Sequence, residues 1–194
     1  MMPVLLLAAA LASPLSSEEP AKPVAAAGNP QVVLETSKGA ITLELYPDKA
    51  PKTVENFLAY VKAGHYDGTL FHRVIDNFMI QGGGFDAKFQ QKPTRAAIQN
   101  EADNGLKNVR GTVAMARTGD PHSATAQFFV SVTDNAFLDH TAKTERGWGY
   151  TVFGRVTAGM DVVDAIKGVA TGAAGPFAKD APLEAVVIHA IRRA

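Results

Sequence analysis

The chain has 194 residues, the length of one domain with some additional sequence, and 46% of them are hydrophobic, which suffices for a full core. Nineteen basic residues balance 19 acidic ones, so neither nucleic acid nor an anionic membrane is favoured as a partner. The absence of cysteine excludes disulfides, thiol chemistry and cysteine-ligated zinc.

The first segment is a short apolar run that ends in the small-x-small sequence Ala-Leu-Ala at residues 10–12. This pattern predicts a signal peptide over residues 1–12, and the run is too short to span a membrane as a helix. No Lys or Arg precedes it, so either the true start lies upstream or the signal is weak. Residues 13–30, rich in Ser, Glu, Pro and Ala, predict a disordered linker. We therefore expect a periplasmic or secreted protein whose folded domain covers residues 31–194.

The folded domain opens with two β-rich runs, residues 32–36 and 40–45, joined by a turn that contains a glycine. A helix is predicted over residues 51–64, because a proline suits its first position, a glycine suits its stop, and apolar residues recur at helical spacing. A second short helix is predicted over residues 160–166 and a closing strand over residues 185–191. Many short strands with two amphipathic helices predict a mainly β fold, a closed antiparallel barrel.

The stretch from residue 71 to residue 85 places one cation, Arg73, among large apolar side chains such as Val74, Phe78 and Ile80. An arginine is rarely fully buried unless it is paired. Arg73 is therefore either an edge residue with its head in water or a working group at the floor of an apolar groove. Composition alone leaves both interpretations open.

Three motifs in order carry a resemblance to a known family. They are FHRVIDNFMIQGGGF at residues 71–85, GTVAMAR at residues 111–117 and QFFV at residues 127–130. Together they resemble the signature segments of the cyclophilins, the cyclosporin-binding class of peptidyl-prolyl cis/trans isomerases. The likeness extends over residues 31–191, and motifs of this length are far more specific than a short glycine pattern.

Two further segments, NEADNGL at residues 100–106 and NAFLDH at residues 135–140, are shared with the secreted bacterial members of that family. The resemblance implies a closed eight-stranded antiparallel barrel capped by two α-helices. It also implies acceleration of X-Pro isomerisation in the folding of exported proteins. The expected partners are unfolded or proline-containing polypeptides, and we expect a monomer that needs no cofactor.

The resemblance also assigns the site residues. Arg73 falls at the position of the family's catalytic arginine, Gln81 where the family holds that arginine, and Phe78 on the wall of the proline pocket. These three are the expected catalytic residues. On composition alone, the apolar members of the site would be predicted to be core. The expected substrate-binding residues are Met79, Met115, Ala116, Gln127, Phe129, Phe137, Leu138 and Tyr150.

Three positions refine this expectation. Phe137 stands where cyclosporin-sensitive members carry a Trp, so only weak cyclosporin binding is expected. Tyr150 stands where many eukaryotic members carry a His, and a phenol does not titrate near neutral pH. The five histidines lack the spacing of metal ligands, so no metal site is expected, and His72 is predicted to be a hydrogen-bonded structural histidine.

Two other functions compete with the isomerase. One is a proline-peptide-binding chaperone module with little catalysis, and the other is a small-molecule carrier barrel. Retention of Arg73, Phe78, Gln81 and Phe129 favours the enzyme, and the rate on a short X-Pro peptide distinguishes it from the module. A carrier needs an open barrel interior, whereas the resemblance implies an interior filled with side chains.

Overall fold

The computed structural model describes residues 28–194, so the predicted signal peptide and most of the predicted linker lie outside the described residues. The described part contains two α-helices, α1 (Pro51–Lys62) and α2 (Met160–Lys167), and ten β-strands. None of its helices is long and apolar enough to cross a membrane. The strands are β1 (Gln31–Thr36), β2 (Gly39–Leu45), β3 (Thr69–Ile75), β4 (Met79–Asp86), β5 (Thr112–Met115), β6 (Phe128–Ser131), β7 (Val152–Ala158), β8 (Thr171–Ala174), β9 (Phe177–Pro182) and β10 (Val187–Arg193).

Eight of the strands form a closed antiparallel barrel in the order β1-β10-β3-β4-β6-β5-β7-β2, which confirms the predicted fold. The predicted opening hairpin is β1–β2, and its register ends with Thr36 opposite Gly39, whose φ is 130°. Ile41, Leu43 and Leu45 of β2 are fully buried and alternate with more exposed residues. This period of two is that of a strand with one face on a core, as the sequence predicted.

The first turn of helix α1 is capped by a carboxylate that is far away in the sequence. No side chain of the helix end itself caps that turn. The Glu101 carboxylate accepts hydrogen bonds from the backbone N–H groups of Lys52 at 3.1 Å and Thr53 at 2.9 Å. An anion at a helix N-terminus satisfies exposed N–H groups and complements the helix dipole. The helix ends at Lys62, and Gly64 follows with a φ of 64°, close to the predicted stop.

The barrel interior is filled by side chains. Phe57 of α1 lies 5.2 Å from Tyr66, 5.7 Å from Phe128 and 5.1 Å from Phe153, measured between ring centroids, and all four residues are fully buried. Helix α2 buries its apolar face in the same core. A filled interior is the opposite of the open lumen that a small-molecule carrier requires.

Strands β8 and β9 form a separate two-stranded sheet that the sequence analysis did not predict. It precedes β10, which begins two residues after the predicted start of the closing strand. Most of its side chains are exposed or half-buried, so it lacks the alternation that marks a strand on a core. The sheet packs against β3 and brings Phe177 beside the strand that carries Arg73.

Candidate active site

One cavity of about 350 Å³ gathers most of the predicted site residues. Strands β3, β4 and β6 supply one part of its wall, and the segments after β5 and before β7 supply another. Neighbouring strands of a sheet bring residues far apart in sequence side by side, which is why three separate motifs meet here. The cavity is lined by His72, Arg73, Phe78, Met79, Gln81, Phe85, Ala116, Arg117, Gln127, Phe129, Leu138, Tyr150 and Phe177.

Arg73 is held at the cavity by a chain of two glutamines. The β3–β4 pairing sets Arg73 opposite Gln81. Arg73 Nη1 donates to Gln81 Oε1 at 3.5 Å, and Gln81 Nε2 donates to Gln127 Oε1 at 2.9 Å. A Cβ at Gly84 would lie 2.6 Å from the Gln127 side chain, so glycine there leaves room for this chain.

The guanidinium keeps most of its donors available. Its contact with Gln81 is at the long end of a hydrogen bond. Among residues 28–194, no carboxylate lies within ion-pair distance of Arg73. A guanidinium has five N–H donors, so several remain for an acceptor that enters the cavity.

An apolar wall stands beside Arg73. Met79, Phe129 and Leu138 are only 1%, 4% and 6% exposed, and they belong to a cluster separate from the barrel core. Phe78 is half-buried, and Arg73 Cζ lies 6.0 Å from its ring centroid, the outer limit of a cation–π contact. Low exposure keeps water from this side of the guanidinium and strengthens any hydrogen bond made there.

Tyr150 completes the wall on the side away from β3. Its ring meets Phe129 edge-on at 5.8 Å, and Arg117 Cζ lies 4.6 Å from its ring centroid. Arg117 is itself fixed, because its Nε donates to the Gly149 carbonyl at 2.9 Å. The cavity therefore offers a charged donor, an apolar pocket and polar amides. In residues 28–194, no three His, Asp or Glu side chains cluster as a metal site would require.

Residues 31–193 match the protein family described as "Cyclophilin type peptidyl-prolyl cis-trans isomerase/CLD". This chain belongs to the cyclophilin-type peptidyl-prolyl cis-trans isomerases. As a cyclophilin, it catalyses isomerisation of peptidyl-prolyl bonds, and the resemblance inferred from the three motifs is confirmed.

Individual proteins similar to this chain are also named peptidyl-prolyl cis-trans isomerases. The cyclophilin is 68% identical to peptidyl-prolyl cis-trans isomerase cyp18 of Streptomyces antibioticus, over 83% of this chain and 96% of the relative. It is 56% identical to peptidyl-prolyl cis-trans isomerase B of Escherichia coli K12, over 82% of this chain and 97% of the relative. A crystal structure of a Cryptosporidium parvum cyclophilin-type isomerase matches with a TM-score of 0.69 and 25% identity, covering 86% of this chain and 98% of that one.

Two predicted substrate-binding residues of this cyclophilin do not line the cavity. Met115 is 2% exposed and belongs to the barrel core, because its neighbours Ala114 and Ala116 take the opposite face of β5 and its extension. Phe137 is 74% exposed and lies at the rim, with its ring 5.4 Å from that of Phe78. The other predicted residues meet at the cavity.

Four residues line the cavity although they are not among the expected catalytic and substrate-binding residues, namely His72, Phe85, Arg117 and Phe177. A sequence signal existed for Phe85, because it shares the alternation of Met79 and Gln81 along β4. No such signal existed for Phe177, which reaches the site only through the unpredicted β8–β9 sheet.

A larger groove of about 710 Å³ lies elsewhere on the cyclophilin, between the end of α1 and the end of β10. None of the predicted site residues lines it. Its lining includes Leu58 and Ile191 together with the cations Lys62, Arg192 and Arg193, and Arg192 is paired with an aspartate. Size alone therefore does not mark the active site of this molecule, since the smaller cavity contains the family motifs.

His72 is buried in the cavity wall, 2% exposed, but its Nδ1 has no hydrogen-bond partner in the described part of the chain. The sequence predicted a hydrogen-bonded structural histidine, and Nδ1 is a ring nitrogen at which no such bond is found. Burial lowers the pKa of His72 to about 4, and the charge of Arg73 acts in the same direction. The imidazole is consequently neutral at physiological pH.

We expect this histidine to make folding stability depend on pH. The unfolded chain takes up the proton near its ordinary pKa of about 6.5, whereas folded His72 does so only near pH 4. Stability is therefore full above about pH 6.5, falls as the pH drops, and stops falling below about pH 4, with a total loss of up to about 3 kcal/mol. Burial lowers the pKa of His65 too, which adds to the loss in the same window.

Urea unfolding at pH 7 and pH 4.5 measures this effect in the wild type and in His72→Gln. The variant removes one titrating group, so its stability should fall less between the two pH values than that of the wild type. Equal losses in the two proteins would show that His72 titrates normally in the folded state.

Proposed function

We propose that this cyclophilin accelerates X-Pro isomerisation in the folding of exported proteins, with Arg73 as the catalytic donor. The observation that carries the mechanism is the position of Arg73 beside the apolar wall of Met79, Phe129 and Leu138. Its half-buried guanidinium has no carboxylate partner among residues 28–194. An apolar pocket suits a pyrrolidine ring, and a charged donor at its edge suits the amide that precedes that ring.

The chemistry requires little more than that donor. The barrier to peptide rotation is about 18–20 kcal/mol, because amide resonance is lost in the twisted state. No covalent bond is made or broken, so no nucleophile and no proton transfer are needed. A hydrogen bond from Arg73 that forms only as the proline nitrogen becomes pyramidal stabilises the twisted state and not the planar ones. Such selective stabilisation lowers the barrier.

The glutamines have supporting roles in this proposal. Gln81 orients the guanidinium through its Oε1, and Gln127 fixes the Gln81 amide in turn. Phe78 lies over the guanidinium and limits its access to water. Ala116 and Tyr150 border the path of the peptide, and Met115 contributes by holding β5 in the barrel core.

The enzyme-to-substrate ratio distinguishes the isomerase from the competing function, a proline-binding module with little catalysis. We expect refolding of a protein limited by a slow X-Pro step to accelerate at an enzyme-to-substrate ratio of about 1:100, because an isomerase turns over on a step that takes about 10–100 s unaided. A module that only holds the chain acts near a 1:1 ratio. Bovine albumin at the same concentration serves as the control, and acceleration confined to stoichiometric amounts would contradict the proposal.

Export is supported by the apolar run that ends at residues 10–12 and by the polar tract that follows. We expect the protein isolated from its native cells to start after Ala12 or within residues 13–30. Mass spectrometry of the envelope fraction measures this start. A chain that retains Met1 and fractionates with the cytosol would overturn the proposed location, while leaving the isomerase activity untouched.

A further inference from the structure

The active-site cavity has two unlike ends, and the proline accounts for only one of them. Strand β4 runs along the cavity and contributes Met79 at one end, Gln81 in the middle and Phe85 at the other end. The Met79 end carries the apolar wall described above. The Phe85 end, with His72 and Phe177, forms what we call the aromatic end.

The three residues of the aromatic end are mutually packed. The ring centroids of His72 and Phe85 are 4.7 Å apart, those of His72 and Phe177 5.2 Å, and those of Phe85 and Phe177 5.1 Å. His72 is buried beneath the other two, whereas Phe85 and Phe177 are only half-buried and line the cavity. Two phenyl rings are thus presented above an uncharged imidazole.

The position of Phe177 depends on Phe89, a residue with a left-handed backbone conformation. Phe89, in the turn after β4, adopts a φ of 57°, a left-handed conformation that costs a non-glycine residue free energy. The Asp86 carboxylate holds that turn by accepting from the N–H groups of Lys88 at 2.8 Å and Gln90 at 2.9 Å. The ring of Phe89 occupies the space where Gly175, in the β8–β9 turn, would otherwise carry a Cβ.

Phe89 therefore clamps the β8–β9 sheet onto the turn after β4. Its ring also lies 6.1 Å from that of Phe177. Strained backbone is retained where the surrounding structure over-determines it, and such strain clusters at ligand-binding sites. Here the strained turn holds the β8–β9 sheet so that Phe177, the first residue of β9, reaches the cavity.

We propose that the aromatic end is a second side-chain subsite, which takes an aromatic or large aliphatic side chain of the client peptide close to the proline. This rests on the proposed placement of the proline beside Arg73. Gln81 and Phe85 are four residues apart on β4, about 13 Å at the rise of an extended strand. An extended peptide covers the same rise per residue, so the side chain belongs to a residue about two to four positions from the proline.

The test uses peptides with one Ala-Pro bond in an otherwise small and polar sequence. A single Phe is placed two, three or four positions before or after the proline, and kcat/KM is compared with that of the parent peptide. We expect one register to gain about tenfold in the wild type, as for a ring that fills an apolar pocket. The gain should shrink to about twofold in Phe177→Ala and stay intermediate in Phe177→Leu, which keeps an apolar side chain.

Leu183→Ala is the matched control, because Leu183 is a large exposed apolar residue next to the same sheet, 64% exposed and outside the cavity. It should leave the preference for Phe unchanged. A purely structural role of Phe177 would lower kcat/KM for all peptides alike and leave their ratio at the wild-type value, which would overturn the subsite. Equal wild-type rates on all peptides would overturn it as well. Failure of the wild type to turn over any peptide would instead contradict the catalytic account.

Discussion

Replacement of Arg73 by Ala should lower kcat/KM on an X-Pro peptide by about 100- to 1000-fold, the effect of removing one preorganised donor to a transition state. The half-buried guanidinium makes one long hydrogen bond and no ion pair with the described residues, so the fold should lose no more than about 1 kcal/mol. Activity is measured by a coupled peptide assay, and stability by urea unfolding of the same preparation.

Arg73→Lys is the matched control for charge. It keeps the cation but loses the planar fork of donors, so its rate should fall between those of the wild type and Arg73→Ala. A folded Arg73→Ala variant with near-normal turnover would remove Arg73 from the mechanism.

Cyclosporin should inhibit this protein weakly, by about ten- to several-hundred-fold less than it inhibits family members that carry a Trp at the rim position. Phe137 occupies that position here and keeps an apolar ring, but it has no N–H donor. A drug carbonyl then loses its partner at a cost of roughly 1–3 kcal/mol. At about 1.4 kcal/mol per decade, this loss and the smaller ring area account for the expected drop.

The position of Phe137 explains why catalysis should survive that loss. Its ring is 74% exposed at the rim and does not line the cavity that holds Arg73. Inhibition titrations of the wild type and Phe137→Trp test the expectation, with turnover of an X-Pro peptide as the internal control. Tight inhibition of the wild type by cyclosporin would contradict the expected role of Phe137. An unimproved cyclosporin affinity in Phe137→Trp would contradict it as well.

The opening of the barrel was predictable because β2 alternates between buried and more exposed residues, whereas β5 and β6 are buried throughout. Ile41, Leu43 and Leu45 mark a buried face, and the apolar stripe of α1 marks a helix that packs on a core. The β8–β9 sheet was not predictable, because most of its side chains are exposed or half-buried and its packing against β3, where Phe177 contacts His72, leaves no periodic pattern in the sequence. Local periodicity carries no information about a strand that has no buried face.

The expected site residues came from the family motifs and not from the hydrophobicity of the side chains. Met79, Phe129 and Leu138 are almost fully buried, so composition alone correctly predicts low exposure and cannot tell a pocket wall from a core. Met115 was expected at the site as part of one motif, yet the period of two along β5 turns its side chain into the barrel.

His72 shows a different limit of sequence reasoning. It precedes Arg73 directly, yet both residues line the cavity. Register irregularities on either side of Phe71 interrupt the alternation of β3 and make this possible. A bulge depends on the partner strand, so the facing of these two side chains could not be derived from β3 alone.

We propose that Arg73 lowers the rotation barrier of the bound X-Pro bond and does more than bind the peptide. The most direct measurement is the cis/trans exchange rate on the enzyme, obtained by NMR for a labelled X-Pro peptide at saturation, in the wild type and in Arg73→Ala. We expect the on-enzyme exchange rate to fall by about 100-fold or more in Arg73→Ala, while the dissociation constant of the trans peptide rises by less than about tenfold. An unchanged exchange rate with an affinity lost by the same factor would contradict the proposal, because Arg73 would then act in binding alone.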